Sequence, residues 1–345
     1  MRLDKRASWV GLALVAVVVP WTLVLPCSLA NQQQDSTKIR RVSPVPHGLR
    51  ESWRLSDFYE KCVLADGLPI VASRRVNDYA LLEAAYIVDQ MLAGRDDIRQ
   101  AIVKSRIRVV VMAYNERTTD VPEHADLRPA DYWDRRARGL GATRIRPAIS
   151  CGEENLLEYP GDPYRGENIL VHEFAHTIHQ IGMREVDKTF DRRLREAYDS
   201  AMKAGLWKGT YAATNPSEYW AEGVQAWFHC NRTHDRQHNH VNDRDTLRRY
   251  DAALAKLMEE VFGQNNWLYI PPSRRPKPAH LEGFDRSKVP TFRWTERFTP
   301  KPSEDKPKPP TEPDKTKGDE VRRSAGHAAG GNHCRYPKAH SASPS

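Results

Sequence analysis

Cysteine is scarce in this chain of 345 residues. There are five, and no two stand at the spacing of a Cys-based zinc site, so a thiolate cage is excluded. The excess of one sign of charge over the other is also small, 53 basic against 45 acidic residues. Of the net +8, the first 30 residues carry +2 and residues 299–345 carry +3, which leaves +3 for 31–298. That balance is too weak to imply nucleic acid. No internal repeat is visible, and 39% apolar composition over this length suffices for one large domain or two small ones. The long apolar run near the start, Trp9 to Leu25, is broken by Pro20 and is marginal as a membrane span.

That run sits where an export signal belongs. Arg2, Lys5 and Arg6 precede it, and Ser28-Leu29-Ala30 supplies small residues for a cleavage site. The expectation is a signal peptide over residues 1–30, cleaved after Ala30, and a secreted or extracytoplasmic mature chain. An uncleaved signal anchor is the alternative, and the one route to a membrane. Export bears on the remaining cysteines, Cys62, Cys151, Cys230 and Cys334. Cys62–Cys151 is the expected disulfide; free buried thiols are the other reading.

Punctuation and periodicity give the elements. Residues 31–49 are polar and read as a flexible lead-in to a domain over 50–298. Asn77 can cap a helix carrying Leu81, Leu82, Ala85, Val88 and Met91, stopped by Gly94. A short helix is expected over 96–104, and the β-branched run from Ile107 to Tyr114 reads as a strand. Residues 115–137 read as a long ordered loop. Residues 139–149 begin with glycines and become extended: either a surface hairpin or a sheet edge able to pair with a peptide main chain. A helix is expected from about 191 to 204, and another from Asp243 or Asn242 to Gly263. The Pro- and Lys-rich residues 299–345 cannot bury a core and read as disordered.

The chemistry gathers at residues 167–182, where His172-Glu173-Phe174-Ala175-His176 reads H-E-x-x-H. On a helix, residues four apart lie about 40° apart in azimuth and about 6 Å apart along the axis, so both imidazoles can reach one ion. Zn2+ suits two neutral imidazoles and a carboxylate, with a fourth position left to water, and Glu173 stands beside them to hold that water. Ile169, Leu170, Val171, Phe174, Ala175, Ile178 and Ile181 make the helix apolar around most of its circumference. A buried helix does not carry His, Glu and His without partners. Gly182 is the expected C-terminal stop.

A third protein ligand is needed. The candidates are His179, Glu218, Glu222 and the histidines between 229 and 240. His179 lies about 10 Å along the axis from His172, too far to share an ion, and is expected to pack. A third histidine in the longer pattern with an intervening glycine is absent. Asn215-Pro216-Ser217-Glu218 is a helix start, with Asn as cap and Pro in the first turn. The helix is apolar on most sides, so Glu218 and Glu222 are expensive to bury without a cation. Glu218 is preferred as ligand, although a Glu at that position also closes a capping box. Glu222 is expected to hydrogen-bond a ligating histidine from behind, or else to form a buried salt bridge. The loop from His229 to His240 reads as solvated, with a second metal site as the lesser alternative; Asn231-Arg232-Thr233 fits a glycosylation sequon.

These two segments resemble the catalytic domain of the anthrax lethal factor-like zinc peptidases, of the gluzincin group. The shared pattern is H-E-F-x-H, then a Tyr seven residues before the ligand, in a helix start of the form E-aromatic-aromatic-A-E. The resemblance covers about residues 165–230. It implies His172, His176 and Glu218 as metal ligands, Glu173 as general base, and Tyr211 assisting at the oxyanion or leaving group. Glu222 matches the second acid of that helix. The aspartate that follows the second histidine in many related sites is replaced here by Thr177, Ile178 and His179. The implied fold is α+β and zincin-like, a small mixed sheet packed on the active-site helix with further helices after it. The implied activity is zinc-dependent endopeptidase action on a protein or peptide substrate. The rival reading is a zinc-stabilised extracellular binding module that cleaves nothing.

Overall fold

The computed structural model describes residues 40–294, except 264 and 277. The expected signal segment, Cys27, Cys334 and the tail lie outside the described residues. The chain folds as α+β around a six-stranded mixed sheet. Its strands are β1 (Ser43–Pro44), β2 (Lys61–Ala65), β3 (Leu68–Ala72), β4 (Arg108–Met112), β5 (Gly139–Leu140) and β6 (Ala148–Gly152), in the order β1-β2-β3-β4-β6-β5. β3, β4 and β6 run parallel; β1, β2 and β5 pair antiparallel to their neighbours. β1 lies within the stretch read as a flexible lead-in, so the sheet recruits residues ahead of residue 50.

β2 and β3 form a two-residue hairpin that the sequence analysis passed over. Asp66 and Gly67 have φ of 45° and 89°, the left-handed pair that a tight hairpin needs. The strands β3, β4 and β6 are buried along their whole length, as parallel strands covered on both faces must be. Alternation splits them between two cores. Ile70, Val109, Val111 and Ile149 face the larger one; Val71, Val110, Met112 and Ala148 face a smaller one closed by Trp53, Leu55 and Tyr59.

This alternation corrects the expected disulfide. Cys62, Cys151 and Cys230 are free and buried. Cys62 faces the smaller core and Cys151 the larger. β3 and β4 also stand between their strands, and three strand spacings amount to about 14 Å. A disulfide needs its Cα atoms within about 7 Å.

The helices run α1 (His47–Trp53), α2 (Asp78–Met91), α3 (Asp96–Lys104), α4 (Ala130–Asp134), α5 (Glu153–Leu156), α6 (Ile169–Thr177), α7 (Arg184–Val186), α8 (Phe190–Lys203), α9 (Pro216–Trp227), α10 (Arg244–Tyr250) and α11 (Ala252–Phe262). Asn77 caps α2 by accepting from the Tyr79 amide, as its sequence implies. Gly182 does not stop α6. The backbone continues as a π-helical turn, Ile178–Met183, into α7. Gly182 instead permits close packing, since a Cβ there would lie 2.6 Å from Cγ2 of Ile98 on α3. The single helix expected up to Gly263 is two. Asp251 breaks it, capping α11 through the Leu254 amide and accepting from Trp207 and Tyr219 with its other oxygen.

The edge strand β5 is held in place by Arg138. This guanidinium is fully buried and donates to Glu154 and to the carbonyls of Ala113 and Glu116. Glu154 has no exposed surface either. Removing one partner of such a pair leaves a buried charge uncompensated. Arg138→Met is expected to cost about 3–5 kcal/mol in urea unfolding. Double replacement with Glu154→Leu should recover much of that loss.

Candidate metal centre

α6 and α9 cross the larger core side by side. Each begins with an asparagine cap: Asn168 accepts from the Val171 amide, and Asn215 from the amides of Ser217 and Glu218. These caps fix where each helix starts, and so which residues meet. His172, His176 and Glu218 converge there, all buried. Nε2 of His172 lies 3.2 Å from Nε2 of His176 and 3.1 Å from Oε2 of Glu218, and the third side of the triangle is 3.3 Å. A tetrahedral ion with bonds of about 2.0–2.1 Å sets its ligand atoms about 3.3–3.4 Å apart. The donor triangle therefore fits a metal ion, and three protein donors leave the fourth tetrahedral position unfilled by protein.

Their outer nitrogens are partnered. Nδ1 of His172 faces Oε1 of Gln225 at 2.8 Å, an acceptor, and Nδ1 of His176 pairs with Oγ of Ser217 at 2.9 Å. When both rings are neutral with the proton on Nδ1, both Nε2 lone pairs face a carboxylate oxygen, an arrangement that calls for a cation. The expected role of Glu222 is corrected here. Its carboxylate stands 3.7 Å from Nδ1 of His172, accepts from Asn231 at 2.8 Å and faces His238 at 3.6 Å. The residue that does bond His172 was missed. Gln225 follows Glu218 by two helical turns and Glu222 by one. That polar stripe on an apolar helix was the available signal.

His179 does not reach the triangle, as its distance along the helix implied. The π turn carries it into a 2.7 Å bond with Asp191, between Phe190 and Trp220. The loop from His229 to His240 is less solvated than its composition suggested. Asn231 and His238 are buried against Glu222, which removes Asn231 as an accessible sequon. No second metal cluster forms among the described residues.

Glu173 has no exposed surface, and no side chain bonds its carboxylate, although the Gly141 backbone N–H favours its charged form. Tyr211 begins a 3-10 turn before α9, and its half-buried ring lies against His172, with centroids 6.1 Å apart and planes 26° apart. β5 crosses α6 at van der Waals distance. A Cβ on Gly139 would lie 2.3 Å from Cγ2 of Ile169 and 3.0 Å from Cγ of Glu173; one on Gly141 would lie 3.0 Å from Cβ of His176. Neither glycine has a positive φ, so close approach rather than backbone conformation is what calls for them.

Electrostatics follow from burial. Burial pushes the Glu173 carboxyl up to about 8, with His172 working against it. Burial also opposes charge on His172, but its bond to Glu218 and the carboxylates around it win and hold its pKa up to about 10. Burial would raise Glu218 as well, yet the two histidines hold it well below the ordinary range. A cavity of about 410 Å³ lies elsewhere, lined by Asp162, Glu167, His229, Cys230 and Arg274. No member of the donor triangle opens into it, so the donor geometry is the better guide to chemistry.

No family model matches the chain, and no curated protein is similar to it. Among solved structures it is similar to a Pro-Pro endopeptidase, PPEP-2, from Paenibacillus alvei. Identity is 17% over 57% of this chain and 98% of that one, with a TM-score of 0.33. A likeness this low carries no argument about activity.

The metal-free fold should lose stability as pH rises. In the folded chain Glu173 rises from 4.5 to about 8 and His172 from 6.5 to about 10, so between about pH 4.5 and 10 the fold binds more protons than the unfolded chain. Urea unfolding of chelator-treated protein is expected to show stability falling across that window. A bound ion takes the proton's place and should flatten the dependence. Equal pH profiles with and without metal would contradict this.

Proposed function

We propose that this chain is an exported zinc-dependent endopeptidase of zincin-like build, with His172, His176 and Glu218 holding the zinc. The observation that carries this reading is Glu173. A buried carboxyl that no side chain bonds is costly to keep, and a purely structural metal site has no use for one beside its unfilled fourth position. The residue types support zinc over harder cations, since two imidazoles outnumber one carboxylate. The resemblance at residues 165–230 supports the same assignment.

Bound zinc would polarise a scissile carbonyl and make water a better nucleophile near neutral pH. Glu173 takes the proton from the attacking water and passes it to the leaving amine; its elevated pKa suits a group that must do both near neutrality. Tyr211, against His172, donates a hydrogen bond to the carbonyl oxygen as negative charge develops there. The free edge of β5 pairs with the substrate main chain, which gives affinity without demanding a sequence. Gly139 and Gly141 let that edge lie close over Glu173.

The test is a peptide-library digest by the mature chain and by Glu173→Gln. Hydrolysis is expected to fall at least about 100-fold in the variant, with metal content unchanged. Gly141→Ala should lower turnover and metal content together, because the added methyl presses on His176. An active Glu173→Gln would sink the catalytic assignment and leave the binding-module reading.

A further inference from the structure

The two metal-binding histidines are held from behind by side chains that carry no charge. Gln225 has no exposed surface, and its orientation is fixed at both ends. Oε1 accepts from Nδ1 of His172 at 2.8 Å, while Nε2 faces the carbonyl of Asn168 at 3.4 Å and Oε2 of Glu167 at 3.5 Å. A flipped amide would set NH2 against N–H at one end and oxygen against oxygen at the other, so the acceptor must face the histidine. Asn168 is the cap of α6, and its carbonyl also accepts the His172 amide at 3.3 Å. Gln225 thus ties the ring of His172 to the start of the helix that carries it.

His176 has a matching arrangement. Oγ of Ser217 pairs with its Nδ1 at 2.9 Å and accepts from Nε2 of Gln180 at 3.0 Å; with a metal on Nε2, Nδ1 carries the proton and Oγ is its acceptor. Gln180 sits in the π-helical turn, so that departure from α geometry is what brings its amide beside Ser217. Glu222, the carboxylate placed by sequence to hold His172, accepts from Asn231 at 2.8 Å and stands at ion-pair range, 3.6 Å from His238 and 3.7 Å from Nδ1 of His172, beyond hydrogen-bond reach of that ring.

We propose that Gln225 and Ser217 are the positioning residues of this metal centre, setting the tautomer and ring orientation of His172 and His176, and that Glu222 is not. The inference rests on the metal reading of the site. A carboxylate behind a ligating histidine raises the basicity of the imidazole; an amide or hydroxyl orients it with less donation. The ion then keeps more of its positive charge for the fourth position, where water and substrate bind.

The test is metal affinity, measured on the mature chain by competition with a chelator at fixed pH, with zinc and cobalt(II) as the metals. Gln225→Met keeps the shape and removes the acceptor, as Ser217→Ala does for His176. Each is expected to weaken binding about 10–100-fold and to shift the visible bands of the cobalt form. The unfolding midpoint of the metal-free protein should fall in Gln225→Met and Ser217→Ala, because a buried polar group loses its partner, so affinity is measured where each variant is fully folded. Ser217→Thr, which keeps the hydroxyl, should stay near the parent, and Glu222→Gln should lose less affinity than Gln225→Met. If Gln225→Met does not fold, the Ser217 pair decides.

Near-parental affinity in Gln225→Met and Ser217→Ala overturns the inference and leaves the metal reading standing. Tenfold loss in Glu222→Gln, with Gln225→Met unaffected, returns the role to Glu222. A parent chain that binds no metal ends both. A chain that binds metal in this Gln225-dependent way but cleaves no peptide loses the peptidase assignment and keeps the inference.

Discussion

Three acceptor atoms face one another inside the protein, and the rest of the structure depends on how that conflict is resolved. Two imidazole nitrogens and a carboxylate oxygen meet at 3.1–3.3 Å with almost no exposed surface. Left alone they repel. A proton relieves the conflict in part, which is why His172 titrates so high. A metal ion relieves it fully and adds its binding free energy to the fold, about 4 kcal/mol when free metal is a thousandfold above its dissociation constant. If the triangle takes up a metal, then folding, metal uptake and pH are one linked equilibrium.

Everything around the triangle serves to hold α6 and α9 in register. The asparagine caps fix their starts, and Gln225 bridges from one helix to the cap of the other. α11 packs on the far side of α9 through Gly223, where a Cβ would meet Leu254 at 2.7 Å. The sheet carries β5 across α6 beside the site, pinned by the buried Arg138–Glu154 pair. Glycines recur wherever backbone must approach helix, at 139, 141, 182 and 223. A methyl group at these positions would shift an element against the metal site or its support.

Much of the site was legible because its signals are local. Helix periodicity alone puts His172 and His176 on one face, and an Asn-Pro start alone places Glu218 in the first turn of its helix. What was not legible depends on contacts between segments distant in sequence. Which polar residue behind His172 accepts its Nδ1–H depends on the crossing of α6 and α9, and the hydrogen bond goes to Gln225 rather than Glu222. The failed Cys62–Cys151 pairing has the same cause, since strand order is not written in either cysteine's neighbourhood. The π turn is invisible to a periodicity of 3.6, and Gly182 looked like a stop because its packing partner lies on α3. The hairpin at Asp66-Gly67 was a different kind of miss, a readable turn signal simply passed over.

The most direct measurement is elemental analysis of the purified mature chain beside its Glu218→Ala variant. About one zinc per chain in the parent, with strong loss in the variant, is the expected result, because two imidazoles without the carboxylate leave the triangle incomplete. Equal zinc in both would move the third ligand away from Glu218. No metal in the parent, even after refolding in its presence, would contradict the metal centre itself and leave three buried acceptors facing one another for no reason.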